Sequence, residues 1–224
     1  MAETLTQHVA SVREFSNTQN NTGFVSDAEI TKRINEAVGE LYDLIVVAFE
    51  HYYVSSFGPF TMAGGVGNNT VALPADFYKI IGVDKDPGTL YPTTVPMLPS
   101  FRERNRAGGI YYFVQGLSTL VILPPQVAGG TFLMYYTPKA PVLVNPTDTL
   151  DVNLANWEEF VDIRAAIKVL TKREMDTSSL QADLMQLTTR IHAMAANRSE
   201  DPSQVALADN VGRRWWVSGE DSNG

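Results

Sequence analysis

The sequence predicts an α+β fold: an antiparallel helical bundle with an inserted antiparallel β subdomain and an extended C-terminal arm. Three observations predict it. Apolar residues recur at helical spacing over 26–55 and again over 153–197. Between these stretches, glycines and prolines punctuate short β-branched and aromatic runs. After Asn197 the periodicity stops, and the chain runs into a polar, glycine-bounded stretch holding two adjacent tryptophans. The division that follows is an N-terminal extension (1–25), a bundle from 26–55 with 153–200, a β-rich insert (56–152) and a C-terminal arm (201–224).

Composition narrows the classes. The chain has 224 residues, 44% hydrophobic and 19% charged, which suits a globular protein with a sizeable core. Cysteine is absent, which excludes disulfides and thiolate metal ligands. The net charge of −8 repels nucleic-acid phosphate at long range, so a general DNA-binding surface is not expected. The apolar run "LYDLIVVAF" is too short to cross a bilayer and contains Asp43. The opening "MAETLTQHVASVREF" lacks the basic-then-apolar order of a secretory signal.

Taken in order, residues 4–14 read as a short helix and "SNTQNNTG" as a linker. The next helix starts at "SDAE", a capping box of Ser26 and Glu29, with Val25 and Ile30 placed as a hydrophobic staple. Ile30, Ile34, Ala37, Leu41, Leu44, Ala48 and Tyr52 then share one face. Val46, Val47, Phe49 and Tyr53 lie off that stripe, so the second half is expected to be covered on more than one side.

In the insert, "PFTMAG", "NNTVALP", "IYYFVQ", "STLVILP" and "GTFLMYYTP" read as strands. The last three, near 110–115, 119–123 and 130–137, suggest a meander turning at "VQGLST" and "PQVAGGT". A short helix is expected at "SFRERNRAGG", boxed by Ser100 and Glu103 and ended by Gly108.

The stretch "NLANWEEFVDIRAAIKVLTKREMD" has no Gly or Pro and carries apolar residues nearly all round, including Ile163 and Val169. Such a helix is buried, within the chain or in an assembly. Ser178 and Gln181 offer a third capping box. Leu180, Leu184, Leu187, Ile191 and Met194 then form a narrow stripe suited to antiparallel packing across "MDTSS".

Chemistry is sparse. His8, His51 and His192 are far apart in sequence and read as surface or packing histidines. "AGGVGNNT" lacks the Lys-Ser/Thr of a phosphate loop, and "QGLST" is not a nucleophile elbow. Glu158 and Glu159 are adjacent on a helix and point apart; Asp84 and Asp86 have no nominated partner. Lys172 and Arg173, and Arg102, Arg104 and Arg106, read as solvated faces with local ion pairs such as Lys172 with Asp176. No catalytic residue, cofactor or metal ligand is nominated. Arg213 and Arg214 differ because they precede Trp215 and Trp216, the mix enriched at interface hot spots.

"NNTVALPADFYKIIGVD", "LVILPPQVAGGTFLMYYTPKAPVL", "NWEEFVDIRAAIKVLTKREMD" and "AANRSEDPSQVALADN" occur here in that order behind a capped helix. In this the chain resembles the head-to-tail adaptor (connector) proteins of tailed bacteriophages, including tail tubular, gatekeeper-type adaptors. The resemblance spans roughly residues 26–210.

It implies a non-enzymatic virion protein of the neck, assembled in the bacterial cytoplasm. It also implies a homo-oligomeric, dodecameric ring between portal protein and tail or nozzle protein. Passing DNA would be touched only non-specifically by an acidic lumen, with no membrane and no cofactor. Arg213, Arg214, Trp215 and Trp216 become candidates for portal docking, and Val46, Val47, Phe49, Tyr53, Ile163 and Val169 for the subunit interface. The alternatives are a tail-associated carbohydrate or peptidoglycan hydrolase using Asp76, Asp84 or Asp86, and another neck protein such as a stopper.

Overall fold

The structure is a computed structural model that describes residues 2–19, 23–49, 52–65, 67–89, 93–95, 97, 109–124 and 129–199, the side chains to 194. The expected helix at 100–107, most of the "PQVAGGT" turn, His51 and the arm with Arg213, Arg214, Trp215 and Trp216 lie outside them. The chain divides into two compact units, breaking after Phe49 and after Leu143.

The first unit holds α1 (Leu5–Phe15), α2 (Asp27–Ala48), a 3-10 turn (Ala155–Trp157), α3 (Glu158–Lys172) and α4 (Ser178–Ser199). α1 starts at a full capping box: Thr4 accepts from the Gln7 backbone N–H, and the Gln7 side chain accepts from that of Thr4. Ser26 caps α2 by accepting from Glu29 N–H at 3.2 Å, and the staple residues Val25 and Ile30 are both buried. α2 ends at Ala48, short of the full bundle stretch 26–55 that the spacing predicts. Phe49 takes an extended backbone (φ −144°), which suits the aromatic and β-branched run beyond it.

α3 is the central helix, packing against α1, α2 and α4, with no exposed residue from Phe160 to Leu170. Its apolar circumference is therefore covered by the chain's own helices. α4 presents the expected narrow stripe, with Leu187 and Ile191 buried and Leu180, Leu184 and Met194 half-buried. Its cap differs from the Ser178–Gln181 box. Ser178 lies inside the helix and donates its N–H, at 3.0 Å, and its hydroxyl to the Asp176 carboxylate, while Gln181 bonds back to Thr177. A carboxylate is the stronger acceptor at a helix N-terminus, so it takes the cap.

The second unit is a pair of antiparallel sheets. The strands are β1 (Ser55–Met62), β2 (Thr70–Ala72), β3 (Phe77–Lys85), β4 (Thr93–Val95), β5 (Tyr111–Gln115), β6 (Thr119–Leu123) and β7 (Gly130–Pro138). One sheet runs β1-β7-β3-β4, the other β2-β6-β5. Phe132, Met134 and Tyr136 alternate inward along β7 and share a core with Val83, Tyr112, Leu120 and Ile122.

The expected three-strand meander does not form. β5 and β6 make a hairpin, but β6 takes β2 on its other edge, and β7 joins the other sheet between β1 and β3. Pro124 and Pro125 follow β6 and remove two consecutive N–H donors, which ends ladder pairing there. β3 is an additional strand, although "FYKIIGVDK" has the aromatic and β-branched content of one.

Candidate functional site

α2 and α3 run antiparallel, and their facing charges form a ladder. Lys172 Nζ lies 2.8 Å from Glu29, Lys168 Nζ lies 3.1 Å from Glu36 and 2.8 Å from Glu40, and Arg164 Nε donates to Glu40. Lys172 thus pairs across the bundle, not with Asp176. It and Arg173 also lie over the Phe24 ring, at 5.1 and 5.9 Å, and Arg173 donates to the Ser16 carbonyl that ends α1. This pair of basic residues is a structural clamp and not a free cationic face. Arg13 acts similarly: it is buried, donates to Asp27 at 2.6 Å, and satisfies the Thr18 and Val25 carbonyls of the connection into α2.

A second cluster sits where α1 meets α3. Leu5 and Thr6 donate their N–H groups to Asp148 and Pro146 carbonyls, fixing the start of α1. Asp148 in turn closes its own turn by accepting from the Val144 and Asn145 N–H groups at 2.8 Å. One helical turn on, fully buried His8 places Nδ1 2.8 Å from Asp162 Oδ1 on α3. Glu3 donates its backbone N–H to Glu158 at 2.7 Å and holds Oε2 3.8 Å from His8 Nδ1. Burial pulls the His8 pKa down, but the Asp162 hydrogen bond and the charges of Asp162, Glu3 and Glu158 outweigh it and leave it raised. Burial raises the Asp162 carboxyl, and Glu3 and Glu158 push it the same way against His8. Both shifts favour the protonated forms, so a cation bound here would displace a proton.

A cleft opens beside this cluster, lined by Glu3, Ser11, Asn156, Glu158, Glu159 and Asp162 among others; no described lining residue is basic. The sequence placed His8 no more sharply than as a packing or surface histidine. Its partner is 154 residues away, beyond any local motif. The available signal was Glu158, Glu159 and Asp162 all falling in the first turns of one helix.

The interface candidates separate by burial. Val46, Ile163 and Val169 are inside the protomer's own bundle, which accounts for the wide apolar arc without a neighbour. Phe49 and Tyr53 are half-buried. Val47 is 83% exposed on α2, beside half-buried Leu44 and flanked by Glu40 and Asp43 in a shallow groove. Further exposed apolar side chains are Met185 on α4 and, 90% exposed, Leu117 at the β5–β6 turn.

The carboxylates of the hydrolase alternative lie on or beside β3. Asp76 accepts from the Tyr136 hydroxyl at 3.1 Å, joining the start of β3 to β7. Asp84 lies within β3, opposite Thr94 and Leu133. Asp86 follows that strand with a left-handed backbone (φ 54°). Among the described residues, no helix is long and apolar enough to cross a membrane.

The ladder between α2 and α3, the His8–Asp162 pair and the Tyr136–Asp76 bond thus join helix to helix and strand to strand. The chain belongs to the SU10 adaptor protein family, whose model matches residues 4–208, and is a phage adaptor protein. No curated protein matches it.

Proposed function

We propose that this adaptor is the repeating subunit of a ring between portal and tail that joins head to tail and lines the DNA exit channel. The observation that carries the reading is the adaptor-family match over residues 4–208. The ring is a closed homo-oligomer, dodecameric on the resemblance, in which each protomer offers two different faces to its neighbours. Val47 with Leu44 is the candidate contact on one face, because it is an apolar part of α2 that the other described residues leave uncovered. The net charge of −8 favours a lumen that passes DNA without retaining it.

In this reading the arm reaches the portal protein. Trp215 and Trp216 are its anchors, Arg213 and Arg214 orient it, and Gly212 and Gly219 are its hinges. Mixed with its portal, the purified protein should form symmetric rings by electron microscopy; a mixture that stays monomeric by light scattering refutes the ring. Trp215→Ala with Trp216→Ala should leave the protomer's melting temperature unchanged and weaken retention on the portal. Should the double variant unfold the isolated protomer, the two rings belong to its own core.

A further inference from the structure

We propose that Glu3, His8 and Asp162 form a site for one divalent transition-metal ion, with Glu158 beside it, that clamps the start of α1 to α3. The three side chains each offer a ligand atom, and these atoms lie within 4.8 Å of one another. Two ligands bound at about 2.1 Å to a common ion lie roughly 3.0–3.4 Å apart. The two distances from His8 Nδ1, 2.8 Å to Asp162 and 3.8 Å to Glu3, bracket that spacing, while Glu3 and Asp162 lie within 4.8 Å of each other, so seating an ion draws the Glu3 carboxylate inward and replaces the His8–Asp162 hydrogen bond.

The local chemistry calls for a cation. On the fully buried His8 ring, Nε2 has no hydrogen-bond partner among the described residues, and neither has Glu3 Oε2, whose side chain is 40% exposed and whose oxygen stands 3.8 Å from His8 Nδ1. Glu3, Glu158, Glu159 and Asp162 all border one cleft, with no basic side chain among its described lining residues. A single imidazole can offset only part of that charge. The donor set names the class of ion. One imidazole among carboxylates suits Zn²⁺ or Mn²⁺, while Mg²⁺ and Ca²⁺ prefer oxygen ligands alone. Zn²⁺ is expected to bind more tightly than Mn²⁺. The ion would join ligands 154 residues apart, so its binding would resist the release of α1.

The test uses the full-length, tag-free protein, stripped with a chelator and titrated calorimetrically with ZnCl₂, MnCl₂, MgCl₂ and CaCl₂. One saturable Zn²⁺ per protomer is expected, with weaker Mn²⁺ binding and a melting temperature that rises with Zn²⁺. Glu3→Gln should keep the metal-free melting temperature, since its side chain is 40% exposed, and weaken Zn²⁺ binding by about tenfold or more. Asp162→Asn should weaken it further where that variant folds. Absence of saturable one-to-one binding, undiminished affinity in Glu3→Gln, or Mg²⁺ or Ca²⁺ binding as tightly as Zn²⁺ would each overturn the assignment. His192 lies outside the site and should contribute nothing that Glu3→Gln removes.

Discussion

Gly58 interrupts the ladder of β1, where the register with β7 shifts between Phe57 and Phe60. Its φ is +120°, and an added Cβ would stand 2.9 Å from the Phe132 carbonyl oxygen and 3.0 Å from the Phe60 nitrogen. Both obstacles are backbone and cannot swing aside. Gly58→Ala should therefore destabilise the β unit by about 2 kcal/mol or more, read as a lower urea midpoint. Gly39 is its counterpart on α2, with ordinary helical geometry and nothing within 4 Å of an added Cβ. Gly39→Ala should raise the midpoint, by roughly 0.5–1 kcal/mol. Equal effects at the two positions would show that backbone geometry does not govern them.

At the scale of the element, the ladder between α2 and α3 sets their register. Burial would raise the Glu36 and Glu40 carboxyls, but hydrogen bonds from Lys168 and Arg33 to Glu36, and from Arg164 and Lys168 to Glu40, outweigh it and hold both low. A depressed folded pKa gives stability that is present above the ordinary value of 4.5 and is lost as pH falls through the folded value. The melting temperature should thus fall on acidification from about pH 5 to pH 3, and Glu36→Gln with Glu40→Gln should flatten that fall. The two glutamates are about a third exposed, so the effect should be modest. An unchanged slope in the double variant would remove the ladder from the acid response.

The same element shows what a sequence can disclose. Ile30, Ile34, Ala37 and Leu41 form a buried stripe because helical spacing is a local property. For Lys172 the nearest acidic residues in sequence, Glu174 and Asp176, are not the nearest in space. Its partner Glu29 is 143 residues away. The neighbours of β7 differ from those of the expected meander for a related reason. Its inward alternation was readable, but the choice between β6 and the pair β1 and β3 rests on contacts from 130–138 back to 55–62 and 77–85. The groups at Glu3, His8 and Asp162 were hidden in the same way, each ordinary until α1 lies on α3.

For the whole molecule, the N-terminal segment expected as an extension contains α1, whose Leu5, His8 and Val12 are buried. Burying Leu5 and Val12 alone is worth about 1.5–3 kcal/mol each. Deleting residues 2–19 should lower stability by at least about 3 kcal/mol in urea unfolding; an unchanged midpoint would show that α1 contributes nothing to the bundle.

The central place of α3 also has a consequence in time. α2 leaves the ribosome well before its cover does, since Glu40 and its partner Arg164 are 124 residues apart. At roughly 5–20 residues per second, that interval is about 6–25 s. For that time the stripe from Ile30 to Ile45 has no α3 to pack on, and during synthesis it is a hydrophobic surface open to chaperones and to sister chains on the same message.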